Sequence, residues 1–242
     1  MPSRLVHAVA GSLLLIAGWC QAEVLPAENA DWQLQKEVDD IRIYTIDQDD
    51  SPFRAFKAEA LLDVPLSNVM AVMLDPTSCL EWVHGCSESR AFGAGDFADR
   101  YAYSVNDMPW PVSDRDYVIR IRTQGNEANG EVVMNLNAVP ARQPEQDGLV
   151  RVDRSDTLYR FEPVGDKTRM IWLQHTDPNG ALPGWLVNSL LVDIPLKSMQ
   201  QLERVAASPR YDHHELVYDE QGNLVDVRQI PQTGDDENNG KR

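Results

Sequence analysis

From residue 41 to residue 175, apolar and polar side chains alternate with a period of two through one short segment after another. From 182 to 205 the period lengthens to that of a helix. Residues 32–46 read as a strand with Ile41 and Ile43 on one face and Tyr44 and Ile46 on the other, and the polar cluster 47–52 reads as a turn. Phe56, Ala58, Ala60 and Leu62 then share one face of a strand over 53–64, which is expected to pair with the first as a hairpin. Pro65 suits the first turn of a helix that brings Val69, Val72 and Met73 together. A short amphipathic piece with Leu80, Trp82 and Val83 follows.

Strands are expected at 90–92, 100–105, 114–122, 131–139, 149–161 and 169–175, with turn-rich pieces such as Gly93-Ala94-Gly95, Gln124-Gly125-Asn126 and Gln143-Pro144 between them. This order reads as an antiparallel meander. Placing Arg122 opposite Glu131 sets Ile121 against Val132, Ile119 against Met134, Tyr117 against Leu136 and Arg115 against Ala138, so the apolar faces coincide. In the final helix Val187, Leu191, Ile194, Ser198, Leu202 and Val205 form one stripe, and Asp193, Lys197, Gln200 and Arg204 the opposite one. Pro195 removes a backbone bond to Leu191 and predicts a kink.

The strand at 114–122 carries an arginine on its apolar face. Arg115, Tyr117, Ile119 and Ile121 point one way, and Asp116, Val118, Arg120 and Arg122 the other. An inward guanidinium keeps its proton and is costly to desolvate alone, so it calls for a buried acid or a polar ligand group. The competing reading has Arg115 at the strand end, its stem on apolar surface and its head in water.

The run Pro109-Trp-Pro-Val-Ser-Asp-Arg-Asp-Tyr-Val118 resembles a segment of steroidogenic acute regulatory lipid-transfer (START) domains, in which a proline-bracketed turn precedes Arg-Asp-aromatic at the head of a strand. Residues 180–202, GALPGWLVNSLLVDIPLKSMQQL, resemble the last helix of that family, and the order of elements over roughly residues 30–208 is similar. The resemblance implies an α+β helix-grip fold of the birch-pollen-allergen-like superfamily, in which a curved antiparallel sheet wraps the C-terminal helix and encloses a cavity. It also implies that Arg115 sits inside that cavity paired with an acid, for which Asp107 and Asp99 are the candidates. The expected lining is Trp82, Tyr101, Tyr103, Tyr117, Met134, Leu136, Trp172, Leu186, Leu190 and Ile194, with Gln174 or His175 as a further polar group. The same residues could equally fill an ordinary core.

By this resemblance the chain is a non-enzymatic carrier of a lipid-like molecule that needs no cofactor and touches membranes transiently. Two alternatives stand beside it: a cavity-based enzyme of cyclase or hydrolase type, and an adaptor with a filled core. The sequence has no Gly-x-Ser-x-Gly elbow, His-Glu-x-x-His or glycine-rich phosphate loop, and His84, His175, His213 and His214 have no metal-ligand spacing.

Residues 1–22 have the layout of a secretory signal peptide: Arg4, an apolar run over 8–19, and Ala22 before Glu23. A soluble, monomeric periplasmic protein is expected, with an uncleaved membrane anchor as the alternative. Residues 23–208 would form the lipid-binding domain. Residues 209–242 would form an acidic extension, with a hairpin over 211–227 and a disordered end from 231. The net charge of −16 argues against nucleic acid as a partner. Cys79 and Cys86 are expected to form a local disulfide in an oxidising compartment, with free thiols or a metal site including His84 as alternatives.

Overall fold

The computed structural model describes residues 25–231 except 181 and 183, so the expected signal peptide and almost all of the expected disordered end lie outside the described residues. The first alternating stretch folds as two strands, β1 (Gln33–Val38) and β2 (Ile41–Gln48), because Asp39 turns the chain at a φ of 51°. With β3 (Ser51–Leu62), β2 forms the expected hairpin, and Ile43 faces Ala58 across it. Two helices follow, α1 (Leu66–Leu74) and α2 (Cys79–Trp82), with Pro65 one position before the start of α1 rather than inside its first turn. A disulfide joins Cys79 to Cys86 and ties α2 to the head of β4 (Cys86–Phe92).

The remaining strands are β5 (Asp99–Asn106), β6 (Arg115–Gly125), β7 (Val132–Ala138), β8 (Val150–Arg151), β9 (Arg154–Val164) and β10 (Lys167–Asp177). They build one curved sheet in the order β1-β2-β3-β10-β9-β7-β6-β5-β4, with β8 added alongside β6. From β4 to β10, with β8 set aside, the strands form the expected antiparallel meander, and β3 pairs with β10, which joins the N-terminal hairpin to the last long strand. Large faces small at this seam, since Trp172 lies opposite Ala58. The final helix α3 (Gly184–Ala206) continues through Pro195 and packs on the sheet. Leu196, Met199, Leu202 and Ala206 of α3 share one core with Ile43, Leu62, Val69 and Phe161. Asn68 Nδ2 donates to the Ala206 carbonyl at 3.2 Å and satisfies an acceptor at the helix end.

Two expectations about β6 need correction. Its register with β7 is displaced by four residues, so that Ile119 faces Ala138 and Ile121 faces Leu136. The turn lies later than expected, closed by Gly130 N–H to the Asn126 carbonyl at 2.8 Å, with Gly130 at a φ of 68°. An even displacement keeps every side chain on its face, so the apolar match survives while the charge pair does not. Arg122 donates to Asn137 Oδ1 at 2.8 Å, and Glu131 takes Arg160 at 3.1 Å instead.

The second correction concerns the strand expected over 149–161, whose break leaves part of the outer face of β6 covered. The expected strand over 149–161 breaks into β8 and β9, and the segment before the break crosses the outside of β6. Asp116 and Val118 are fully buried beneath it, Val118 in a small core with Tyr103 and Val105 against which Phe92, Val139 and Leu149 pack. Arg151 holds the strap down. Its Nε and Nη2 reach the two Asp116 oxygens at 3.0 and 2.7 Å, and its other donors reach the carbonyls of Pro140, Gln143 and Pro144.

Past α3, β11 (His214–Tyr218) and β12 (Leu224–Gln229) form the expected hairpin, and it packs into the main core rather than lying loose. The Tyr211 hydroxyl donates to Asp75 Oδ2 at 2.9 Å, and Arg210 bridges Asp75 and Glu81. Gly125 on β6 is bare because a Cβ there would come within 2.7 Å of Leu224.

Three outcomes follow from this packing. Asp116→Ala leaves a buried guanidinium without its counter-charge and should cost about 3–5 kcal/mol, read as a lower urea midpoint at unchanged slope. Arg120→Ala, which removes a pair with Asp99 that is about 40% exposed on both sides, should leave the urea midpoint almost where it was. Leu224→Ala should cost about 2–5 kcal/mol and raise amide hydrogen exchange across 214–229 before the rest of the sheet.

Candidate functional site

A curved sheet can hold a helix away from its floor only where the intervening side chains are short. β5 supplies them: Ala102, Ser104 and Asn106 stand opposite Ile119, Tyr117 and Arg115 of β6. The space left beneath α3 is a hollow of two compartments. The larger, about 390 Å³, lies between the 106–109 end of β5, Phe53 and Phe56 of β3, and the first half of α3. The other, about 200 Å³, runs toward α2 and the floor made by β7, β9 and β10. Asn106, Tyr117, Gln174 and Ile194 line both, so the compartments adjoin through a shared wall.

The smaller compartment ends on packed aromatic rings. Trp172 lies 5.3 Å from Tyr159 and 6.1 Å from Trp82, both nearly edge to face, a geometry that favours a rigid apolar floor. Burial pushes the Tyr117 phenol up to about 12 and raises that of Tyr159, so both stay protonated and present hydroxyls to the hollow at neutral pH. A polar seam leads back toward the larger compartment: Trp172 Nε1 donates to Gln174 Oε1 at 3.0 Å, and Gln174 Nε2 to Thr176 Oγ1 at 2.9 Å.

Arg115 lies in the wall of the larger compartment and is only 2% exposed. Its Nε donates to the Pro178 carbonyl at 3.1 Å, its Nη2 to the Asn179 carbonyl at 2.9 Å, and its Nη1 to the Ser113 carbonyl. Burial lowers its pKa from the ordinary arginine value, but a guanidinium still keeps its proton. Neither expected acid pairs with it. Asp99 is taken by Arg120, and Asp107 lines the same compartment, exposed at its rim, without an ion pair to Arg115. Asn179 holds its carbonyl in place from a left-handed conformation at a φ of 51°, with Nδ2 donating to the Arg151 carbonyl and to Asp153 Oδ2, both at 2.8 Å.

Of the residues singled out from the sequence, Arg115, Tyr117, Trp82, Met134, Leu136, Trp172, Leu190 and Ile194 line one or both compartments. Tyr101 and Tyr103 do not: they lie on the opposite face of β5, where Arg142 stacks on Tyr101 at 4.6 Å and Tyr103 belongs to the small outer core. β5 offers one bulky face and one small face, and the hollow interior takes the small one. His175 also faces away, with Nε2 3.2 Å from the Phe53 carbonyl, and its alternative Gln174 faces in. Burial lowers the His175 pKa and favours a neutral ring. Leu186 is buried without lining either compartment. Asn106, Ser104 and Thr176 were missed, although the run of small and polar residues on the non-aromatic face of β5 was a usable sign.

Comparison with known proteins fits this architecture. The START domain family matches residues 18–206. An uncharacterised protein of Pseudomonas aeruginosa is 32% identical over 177 residues, covering 73% of this chain and 87% of its own. The phosphatidylcholine transfer protein of Rattus norvegicus is 27% identical over 166 residues, 66% of this chain and 76% of its own. The crystal structure of a STAR-related lipid transfer protein from Xanthomonas axonopodis superposes with a TM-score of 0.67 at 28% identity, covering 73% of this chain and 99% of that one. With its helix-grip sheet, its hollow beneath the last helix and this match across most of its length, the chain belongs to the START domain family.

Proposed function

We propose that the chain binds one hydrophobic or amphipathic lipid-like molecule in the hollow beneath α3 and carries or sequesters it in the periplasm, without chemical conversion. The observation that carries this reading is the two-compartment hollow itself, walled by Phe56, Leu191, Ile194, Met134 and Trp172 with a buried arginine at one end. Few convergent polar groups among many apolar ones is the arrangement that orients an amphiphile. Removing roughly 300 Å² of ligand hydrocarbon from water contributes about 7 kcal/mol before the costs of ordering are counted. The relatives named for lipid transfer support the reading. Periplasmic placement is supported by the leader-like sequence of residues 1–22 and by a disulfide of the kind that persists in oxidising compartments.

The entry route in this reading is the rim of the larger compartment. Pro195 leaves the Leu191 carbonyl without its helical donor, which makes it the weak point about which the first half of α3 lifts. Trp110, beside the lining residue Pro109, and Trp185, between the lining residues Leu182 and Val187, are 92% and 73% exposed. Indole rings placed there suit brief contact with a bilayer interface while a lipid exchanges.

Native mass spectrometry of the freshly purified chain should show a copurified lipid, released under denaturing conditions in roughly one-to-one amount. An empty chain that also takes up no fluorescent lipid would exclude the reading. Ile194→Trp fills the wall shared by the two compartments and should lower fluorescent-lipid uptake at least about tenfold, while the urea midpoint shifts by no more than an overpacking cost of about 1–3 kcal/mol. Unchanged uptake would place lipid binding elsewhere.

A further inference from the structure

The chemistry of the ligand's polar end can be argued from Arg115, on the basis of the ligand-binding reading above. A guanidinium has five N–H donors, and here three go to the carbonyls of Ser113, Pro178 and Asn179. Among the described residues none goes to a carboxylate. Carbonyl dipoles ease desolvation but supply no counter-charge, so a full positive charge stands in the wall with two donors unspent.

The acids near it make no ion pair with it among the described residues. Asp116 is paired with Arg151 and Asp99 with Arg120, while Asp114, whose Oδ1 accepts the Met108 N–H at 2.7 Å, favours the Arg115 charge through space without hydrogen-bonding it. Asp107 lines the same compartment from an exposed position, where water screens it. His84, the other titratable group on that wall apart from Tyr117, lies 3.4 Å from Lys197 Nζ, and burial together with Lys197 favours its neutral form. The backbone passes close to the guanidinium at Gly180, where a Cβ would lie 3.6 Å from Arg115 Nη2. Four residues further on α3 begins, with no acidic residue in its first turn to offset the positive end of its dipole.

We propose that Arg115 seats an anionic head group, so that the hollow selects amphiphiles ending in a carboxylate or a phosphate ester over neutral lipids of the same chain length. A neutral hydroxyl or ester carbonyl can accept one of the unspent N–H groups, but it leaves the buried charge uncompensated. An anion meets both needs and gains charge-assisted, potentially bidentate hydrogen bonds.

Palmitate, hexadecyl phosphate and hexadecanol share one chain length and differ only at the head. Their affinities for the purified full-length chain are measured at neutral pH below micelle-forming concentrations. At least one anion should bind about tenfold or more tightly than hexadecanol, and the tighter of the two identifies the carboxylate or the phosphate ester as the preferred group. Arg115→Gln should abolish most of the anions' advantage, so that the ratio of anion to hexadecanol affinity falls toward one. Because Arg115 also ties together two loops, a second measurement uses the unaltered chain. Carboxyl-13C palmitate in the bound state should titrate below the ordinary carboxylate value of about 4.3, whereas burial without a cation would raise it. Equal affinity for all three heads, or a bound carboxyl titrating above its ordinary value, overturns the inference while leaving lipid binding intact. Failure of all three to bind removes the carrier reading as well.

Discussion

A short circuit of hydrogen bonds fixes the one place where the fold is open. Asp116 holds the Arg151 side chain, the Arg151 carbonyl accepts from Asn179, and the Asn179 carbonyl accepts from Arg115, which is bonded in sequence to Asp116. Three separate pieces of chain meet in it: the head of β6, the strap that becomes β8, and the link from β10 to α3. Because β6 is a strand, its adjacent residues point to opposite faces, so one dipeptide anchors the outer strap and the inner wall together. The position of the buried cation and the geometry of the rim therefore depend on the same contacts.

What keeps the interior open is the distribution of side-chain volume rather than any dedicated cavity-forming residue. At its C-terminal half α3 packs tightly, with Met199 and Leu202 fully buried. At its N-terminal half the facing strand offers Ala102, Ser104 and Asn106, too short to fill the gap. The aromatic rings of β5 are turned outward, where the strap covers them. The same helix thus closes a core at one end and roofs a hollow at the other, and the C-terminal hairpin reinforces the closed end through Tyr211 and Leu224.

The particular successes and failures of the sequence reading have physical causes. Arg115 was placed inside by alternation alone, and it is inside, because a strand leaves no other choice once Tyr117 and Ile121 face in. Its partners were out of reach, since three backbone carbonyls, two of them some sixty residues away, have no side-chain signature. The register of β6 with β7 was four residues out, yet every face was right, because parity is what hydrophobic burial enforces and an even slip costs only the edge pairs. Tyr101 and Tyr103 were misplaced because size was equated with burial in the main core, when a second covered surface was available on the other side of the sheet.

Period and order along the chain determined that strands precede a long amphipathic helix and which of the two faces of β6 carries the arginine. Those properties are local, set by backbone geometry over a few residues. Only the tertiary structure decided that β3 closes on β10, that the strap turns the outer face of β5 and β6 into a second core, and that the arginine meets carbonyls instead of an acid. Each of these depends on which distant segments compete for the same surface, and pairwise burial and charge satisfaction are settled only when the whole chain has packed.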